Sequence, residues 1–280
     1  MSWQSSTIQS NGIRMHYTRT GGAKPALVLA HGVTDDGLCW TPVAEALAPD
    51  YDVIMVDARG HGRSTATESG YDPSTQAADH DGVIAALSLH KPLLLGHSMG
   101  AITSLALAGI YPDTPRAILL EDPPPFWMPA RPEPPRRQDS QAGPGARFGE
   151  LKRKTREQLI AEAHAQNPAW SDAELGPWAD AKLRFSPNVL AEVFGANKLA
   201  LIDWPATLRR IACPALVITA DPTRGAALRE DGLAALQAQV PQLETAHIPG
   251  AGHNIRREQF ARYMEVVRAF LARWAGTAGG

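Results

Sequence analysis

The order of apolar and amphipathic segments predicts an α/β fold, a mostly parallel eight-stranded sheet flanked by helices. Short apolar runs alternate with longer amphipathic segments, which is the pattern of parallel strands joined by helical crossovers. Near the amino terminus, Asn11 and Gly12 stand between Thr7–Ile8 and Met15–Thr18. An Asn-Gly pair favours a tight hairpin turn, so this segment predicts two antiparallel strands at one edge of the sheet.

The predicted elements follow one another along most of the chain. The central strands are predicted at Ala26–Ala30, Val53–Asp57, Leu93–Gly96, Ala117–Glu121, Ala215–Thr219 and Glu244–Ile248. Apolar residues recur at helical spacing between and after them. They predict helices at Pro42–Leu47, Ser74–Leu89, Met99–Ile110, Leu228–Gln239 and Glu258–Ala275. The last of these helices closes the fold.

The alternation of strands and helices stops after Asp122. The next stretch, Pro123–Gly145, is rich in proline and can form neither a helix nor a central strand, so it predicts an irregular loop. We predict a core domain made of residues 1–122 and 205–280. Residues 123–204 are predicted to form a helical cap over the strand ends, where open α/β sheets bind their ligands.

Two helical segments are predicted inside this cap, at Arg147–Gln166 and Ser171–Leu183. Ser171 and Glu174 have the spacing of a capping box, which satisfies free amide groups at the start of a helix. This pair therefore predicts where the second helix begins.

Composition and charge indicate a small-molecule partner. The formal net charge is −2, so no overall field attracts nucleic acid or an anionic membrane surface. The two cysteines, Cys39 and Cys213, lack the paired spacings of zinc and redox sites. The amino-terminal residues are polar, and no run of about 18 apolar residues occurs. We expect a cytoplasmic monomer or homodimer without metal or membrane contact.

The segment from Leu93 to Ala101 combines an apolar strand, a Gly-x-Ser-x-Gly motif and the start of a helix. A serine hydroxyl is a poor nucleophile unless it is exposed, aligned with a base and close to hydrogen-bond donors. A sharp turn between strand and helix exposes the serine, and Gly96 and Gly100 leave room for that turn. This context predicts Ser98 as a nucleophile.

Two other strand ends complete the predicted site. The strand at Ala26–Ala30 runs into His31 and Gly32, where a glycine lets the backbone turn an amide toward the serine. The N–H groups of Val33 and Met99 are then the expected oxyanion donors. His31 is interpreted as a structural or substrate-contacting residue rather than an acid or base.

A late histidine is expected as the general base, because the chain order in this architecture is serine, acid, histidine. His253 fits this order. It lies in the glycine-rich segment Pro249–Asn254, between the last predicted strand and the last predicted helix.

These motifs together resemble the α/β-hydrolase superfamily, in its capped branch. The resemblance rests on His31-Gly32 and on the segments Asp57–Ser64, Gly96–Gly100 and Gly250–His253, and it covers nearly all of the chain outside the cap. It implies a catalytic triad that works without a metal or an organic cofactor. Members cleave esters, lactones, amides, carbon–carbon bonds, halides or epoxides, and some are cofactor-free dioxygenases. Dehalogenases and epoxide hydrolases have aspartate at the elbow, so Ser98 argues against both.

The resemblance leaves the triad acid open among three residues. Most members carry it after the seventh strand, at a position that is Thr223 here. A minority, including some enamide hydrolases, carry it at the end of the sixth strand, where Asp122 stands. Asp122 is therefore the preferred acid, with Asp221 and Glu121 as the alternatives.

We expect hydrolysis of an ester or lactone of a moderately hydrophobic small molecule, through an acyl-enzyme on Ser98. The alternatives on the same triad are amide, enamide or carbon–carbon hydrolysis and cofactor-free oxygenation, and a third class is a hydrolase-fold receptor. The cap is rich in aromatic residues, which are common in apolar pockets. The residues expected to contact substrate are His31, Trp127, Trp178 and Trp204.

Overall fold

The computed structural model describes residues 3–129, 144–194 and 202–276. Eight strands form one sheet in the order β1-β2-β4-β3-β5-β6-β7-β8. Pairing is antiparallel between β1 and β2 and between β2 and β4, and it is parallel elsewhere. The strands are Gln4–Ser10 (β1), Ile13–Arg19 (β2), Ala26–Ala30 (β3), Asp52–Val56 (β4), Leu93–His97 (β5), Ala117–Glu121 (β6), Ala215–Thr219 (β7) and Leu243–His247 (β8). The predicted α/β fold is confirmed.

The hairpin between β1 and β2 turns on the two residues that predicted it. Asn11 and Gly12 have φ values of 45° and 78°, and Ser10 pairs with Ile13 across the turn. Both central residues are left-handed, which matches the twist of a tight hairpin.

Helices cover both faces of the sheet. They are Thr41–Leu47 (α1), Pro73–Ala86 (α2), Met99–Ile110 (α3), Pro144–Leu151 (α4), Arg156–Gln166 (α5), Asp172–Arg184 (α6), Pro187–Val193 (α7), Trp204–Arg209 (α8), Glu230–Gln239 (α9), Ile255–Glu258 (α10) and Phe260–Trp274 (α11). Buried residues of α2, α3, α8 and α9 pack on one face of the sheet. Those of α1 and α11 pack on the other. Burying an apolar side chain such as Leu105 or Phe270 contributes about 1.5–3 kcal/mol.

The insert, which we define as residues 123–204, lies between β6 and β7 and contributes α4 to α7. Part of the proline-rich stretch predicted as a loop, residues 130–143, lies outside the described residues. The single helix predicted at Arg147–Gln166 is wrong, because α4 ends at Leu151 and α5 begins at Arg156. Thr155 caps the start of α5 and so divides the predicted helix. Its side chain accepts from the N–H of Gln158, and the Gln158 side chain accepts from the N–H of Thr155.

The capping box predicted at Ser171 and Glu174 is also wrong. Ser171 precedes α6, but its side chain makes no capping bond. The Glu174 carboxylate accepts instead from Nε of Arg257, at 3.0 Å. A buried cation attracts the carboxylate more strongly than one exposed amide does.

The parallel strands place the predicted motifs at one edge of the sheet. Strands β3, β5 and β6 are neighbours. Because they are parallel, the residues that follow them, Gly32, Ser98 and Asp122, meet at the same carboxyl edge. The segment after β8 brings His253 to that edge as well.

Candidate active site

Ser98 occupies a strained turn between β5 and α3. Its φ and ψ are 52° and −114°, a conformation that residues other than glycine rarely adopt. The turn requires close backbone approach on both sides. A Cβ at Gly96 would lie 2.2 Å from the carbonyl oxygen of Gly100, and one at Gly100 would lie 2.1 Å from that of Ala30. The Ser98 N–H donates to the carbonyl of Glu121 at 3.0 Å, which ties the turn to β6.

Three side chains from distant parts of the chain form a hydrogen-bonded relay at this turn. The Ser98 Oγ lies 2.9 Å from Nε2 of His253. Nδ1 of His253 lies 2.5 Å from Oδ2 of Asp122. A carboxylate only accepts, so Nδ1 carries the proton and Nε2 faces the serine as an acceptor. This is the arrangement in which a histidine removes the serine proton.

The surroundings of Asp122 hold it as a carboxylate acceptor. The residue is fully buried and has a φ of 41° at the end of β6. Besides His253, its two oxygens accept from the N–H of Ala227 at 2.7 Å and that of Leu228 at 3.0 Å. These hydrogen bonds fix the orientation of the carboxyl group toward His253.

The two alternative acids make other contacts. Asp221 is bonded to Nε2 of His247 at 3.0 Å and to the N–H of Gly250 at 2.8 Å. Glu121 accepts from the backbone and the guanidinium of Arg256, at 3.0 and 3.1 Å. Burial raises the pKa of Glu121 despite that guanidinium. Neither carboxylate is bonded to His253, so the geometry favours Asp122.

The histidine loop, residues 249–254, is held from several sides. Asp221 accepts from Gly250, and Glu258 accepts from the N–H of Gly252 at 2.9 Å. Nε2 of His97 donates to the carbonyl of His253 itself, at 2.9 Å. These bonds fix the backbone that carries the imidazole.

Residues 32–35 follow β3 and pass beside Ser98, and we call them the oxyanion loop after the donor predicted at Val33. Val33 and Met99 line a cavity together with Ser98. Within the described residues, the N–H groups of Val33 and Met99 have no acceptor. Amides left free beside a nucleophile can stabilise a developing oxyanion.

Two cavities meet at Ser98. The apolar cavity has a volume of about 180 Å³, and its lining includes Tyr71, Ile102, Phe126, Val193 and Phe194. The polar cavity has a volume of about 250 Å³, and its lining includes Asn167, Trp178, Lys182, His253 and Arg257. Together they offer an apolar and a charged environment on two sides of one hydroxyl.

The residues predicted to contact substrate separate into two groups. Trp178 lines the polar cavity. Trp127 donates from Nε1 to the carbonyl of Gly232 at 2.9 Å and packs on the core, and Trp204 is 3% exposed within the core. Neither tryptophan is part of the lining of the two cavities. Their aromatic surface is used in packing the insert onto the sheet.

His31 lies behind the site wall rather than in it. Nδ1 donates to the carbonyl of Gly32 at 2.9 Å, and Nε2 accepts from the N–H of Ala58 at 3.0 Å. Burial, together with the nearby His61, lowers the pKa of His31 to about 3. With both nitrogens engaged, the side chain supports the oxyanion loop and does not face the cavities.

Sequence reasoning missed the charged residues of the site. Lys182, Arg257 and Asp35 all line the polar cavity, although Asp35 is only 4% exposed and the other two are also buried. The pair Arg256-Arg257, which is separated from the glycine-rich histidine segment only by Ile255, was a usable signal. No sequence signal pointed to Lys182, because it lies in an insert without a recognisable motif.

No group of three metal-ligating side chains gathers anywhere in the part of the chain that the structure describes. Among the same residues, no helix has the length and apolar composition needed to cross a membrane.

The sheet order, the strained serine turn after β5 and the histidine loop after β8 define an α/β-hydrolase. The family described as the alpha/beta hydrolase fold matches residues 25–256, and the chain belongs to it.

Comparison with known proteins shows that this chain is similar to hydrolases of more than one kind. N-formylmaleamate deformylase of Pseudomonas putida is 29% identical over 275 residues, which cover 94% of this chain and 95% of that protein. The crystal structure of an N-formylmaleamic acid deformylase from Pseudomonas putida S16 has a TM-score of 0.76 and 24% identity, covering 94% of this chain and all 100% of the other. An esterase from Rhodococcus sp. has a TM-score of 0.74 and 25% identity, covering 98% and 100%. These similarities support hydrolysis as the general activity.

Proposed function

We propose that the chain is a serine hydrolase that cleaves a carboxylic acyl bond of a small molecule through an acyl-enzyme on Ser98. One observation carries this proposal: the continuous relay from Ser98 through His253 to buried Asp122, with distances of 2.9 and 2.5 Å. A serine in a strained turn, a correctly oriented imidazole and a buried carboxylate are together what nucleophilic acyl transfer requires.

In the proposed cycle, His253 takes the Ser98 proton as the oxygen attacks the carbonyl carbon. The N–H groups of Val33 and Met99 stabilise the negative charge that develops on the carbonyl oxygen. His253 then protonates the leaving group, and a water molecule activated by the same imidazole releases the acyl group. Asp122 holds the tautomer and stabilises the imidazolium formed in both steps.

For the bond that is cleaved, an ester or lactone is the first candidate. The apolar cavity beside Ser98, with a volume of about 180 Å³, supports a moderately hydrophobic substrate group. The similarity to a Rhodococcus esterase supports the same bond type.

An amide bond is the second candidate, and two observations favour it. The relative that matches 94% of this chain is a deformylase whose name denotes an N-formyl amide. The lining of the polar cavity includes Asn167 and Asn254, whose amide groups suit a polar substrate group.

The test is turnover of matched substrates by wild-type protein, Ser98→Ala and the control Ser69→Ala, whose serine is exposed and distant in sequence from the relay. The panel pairs each aryl ester or lactone with the N-formyl or N-acyl amide of the same skeleton. A fluorophosphonate probe followed by mass spectrometry locates the reactive serine.

We expect turnover and labelling in wild type and in Ser69→Ala, and neither in Ser98→Ala. The preferred member of each pair assigns the bond. Labelling at another serine, or turnover that persists in Ser98→Ala, would overturn the proposal. Oxygen uptake without hydrolysis would indicate the dioxygenase alternative, and tight ligand binding without turnover would indicate a receptor.

A further inference from the structure

A buried cluster of charges joins the insert to the two loops that form the candidate active site. Its centre is Asp35, at the end of the oxyanion loop. One oxygen of Asp35 accepts from Nζ of Lys182 at 2.7 Å. The other accepts from Arg257 at 2.9 Å and from Arg256 at 3.3 Å. Asp35 thus connects helix α6 with the residues that follow the histidine loop.

Lys182 makes two bonds to the oxyanion loop. Besides the Asp35 carboxylate, Nζ donates to the carbonyl of Thr34 at 3.0 Å. The lysine side chain is only 4% exposed, and Nζ lies 4.9 Å from the centre of the Trp178 ring. An ammonium group so deeply buried needs fixed partners, since its desolvation costs several kcal/mol. The partners it uses are the two residues that follow Val33.

Helix α6 also contacts the other side of the site. Glu174 is bonded to Nε of Arg257 at 3.0 Å. Nη1 of Arg257 in turn donates to Oδ1 of Asn254, the neighbour of His253, at 3.0 Å. One helix of the insert therefore holds both the loop of the oxyanion donor and the loop of the base.

The charge of Asp35 is fixed by the cations around it. Burial alone would raise the pKa of Asp35, but the cations Arg257, Lys182 and Arg256 hold it well below its usual range. A permanently charged Asp35 keeps its acceptor geometry, so removing Lys182 leaves one oxygen of this buried charge without its cationic donor while Arg256 and Arg257 still hold the other.

We propose that Lys182 is a positioning residue that holds the oxyanion loop, so that the Val33 N–H stays directed at the reacting carbonyl. Catalysis then depends on the docking of α6, although Lys182 transfers no proton and forms no bond to the substrate. This inference rests on the proposed function, because it assigns Lys182 a part in stabilising the oxyanion on the Ser98 pathway.

The test compares Lys182→Met, which removes the ammonium at similar length, with Lys182→Arg, which keeps a charged donor. Lys152→Met is the matched control. That lysine also lies in the insert, but it bonds the carbonyls of Leu183 and Phe185 instead of the oxyanion loop. The substrate is the best one from the panel above, so wild-type turnover is established before any variant is measured.

We expect Lys182→Met to lower kcat about 10- to 100-fold, less than the loss of an oxyanion donor itself, and to change KM less than about threefold. A trifluoromethyl ketone, whose adduct places an oxyanion in the site, should lose affinity by the same factor as kcat/KM. Lys182→Arg should recover at least half of the loss in kcat on a logarithmic scale, so that a loss of about 100-fold in Lys182→Met becomes one of about 10-fold or less. Lys152→Met should behave like wild type.

A rise in KM with unchanged kcat would overturn the inference, because it would mean that Lys182 binds substrate. Equal losses in Lys182→Met and Lys152→Met would also overturn it, since they would reflect general loosening of the insert. If Lys182→Met does not fold, the comparison of Lys182→Gln with Lys182→Arg provides the same kcat, KM and inhibitor readouts. An inactive wild type with a correctly docked insert would instead count against the proposed function.

Discussion

At the scale of single residues, the candidate site depends on a few side chains, and the hydrogen bonds of each side chain restrict it to a single role. Asp122 is fully buried and accepts from His253 and two backbone amides. Asp221 is also close to the histidine loop, but it supports the Gly250 backbone. The two aspartates thus offer a direct comparison between orienting the imidazole and supporting its loop.

We predict that Asp122→Asn lowers kcat by about 10³- to 10⁴-fold, because an amide in this position favours the wrong imidazole tautomer. Asp221→Asn is expected to stay within about threefold of wild type, since an amide oxygen can still accept from Gly250. The measurement is steady-state turnover of the best panel substrate. A larger loss in Asp221→Asn than in Asp122→Asn would reassign the acid.

His97 is a second residue with a restricted role. Burial first, and then the charges of Arg256 and His253, lowers its pKa well below its usual value. The ring is therefore neutral, and Nε2 donates to the carbonyl of His253 at 2.9 Å. A neutral neighbour adds no repulsion when His253 becomes charged during the reaction.

We predict that His97→Leu lowers kcat about 10- to 100-fold, because His253 loses the bond that fixes its backbone and small misplacements are costly. His97→Gln keeps an N–H at similar reach and should retain more activity. Both variants are compared by kcat and by thermal unfolding. Equal activity in the two would show that the donor to His253 is unimportant.

At the scale of elements, the site depends on how closely α3 approaches β3. Gly100 lies in α3, and a Cβ there would lie 2.1 Å from the Ala30 carbonyl oxygen. Gly149 lies in α4, and a Cβ there would meet no atom of the described residues within 4 Å. Helix propensity favours alanine over glycine equally in both helices, so any difference comes from packing.

We predict that Gly100→Ala destabilises the protein by about 1–3 kcal/mol, as overpacking does, and strongly reduces turnover because the serine turn shifts. Gly149→Ala should be neutral or more stable by up to about 1 kcal/mol. Urea unfolding and turnover of both variants check this. Similar stability in the two would contradict the close contact.

At the scale of the whole molecule, buried histidines link stability to pH. His31, His61, His80 and His97 all have pKa values lowered, chiefly by burial, that of His31 to about 3. Such groups stay neutral in the folded state but take up protons in the unfolded state below pH 6.5. The stability that these groups contribute is therefore fully present above that pH and is lost as the pH falls through their lowered pKa values. For His31 the loss continues to about pH 3, at about 1.4 kcal/mol per pH unit.

Asp36 acts in the opposite direction. Burial and the nearby charge of Asp57 raise the pKa of Asp36 to about 7. The folded state keeps this proton where the unfolded state has lost it, so its contribution decreases as pH rises from 3.8 to about 7. Glu121 has the same sign. As the pH falls, the four histidines lower the free energy of unfolding, whereas Asp36 and Glu121 raise it. Because the histidines are more numerous, we expect a net loss of stability on acidification.

We predict that the free energy of unfolding is lower at pH 5 than at pH 7.5. His80→Gln should reduce that difference by at most about 2 kcal/mol, since it removes one buried histidine. His90→Gln, at an exposed position, should leave the difference unchanged. Urea unfolding at the two pH values is the measurement. No difference between the two variants would show that His80 takes up its proton equally in both states.

Local patterns were sufficient for several elements and for the position of the serine turn. The Asn11-Gly12 turn, the predicted bounds of β3, β6, β7 and α3, and the serine turn at Ser98 depend on neighbours in sequence, so they could be read directly. The start of α5 also had a local signal that the predicted single helix overlooked, because Thr155 and Gln158 have the spacing of a capping box. The absent cap at Ser171 could not be predicted from sequence, because Glu174 pairs with Arg257 from a distant segment.

The sequence by itself determined the α/β class, the place of the serine turn and a choice of three candidate acids. Only the tertiary structure shows which of those carboxylates is bonded to His253, because Asp122 reaches the imidazole from 131 residues away in sequence. It also decided which aromatic residues line the cavities and which pack the insert. The cluster around Asp35 arises from three segments that meet only in the folded chain, and such contacts leave no periodic trace in sequence.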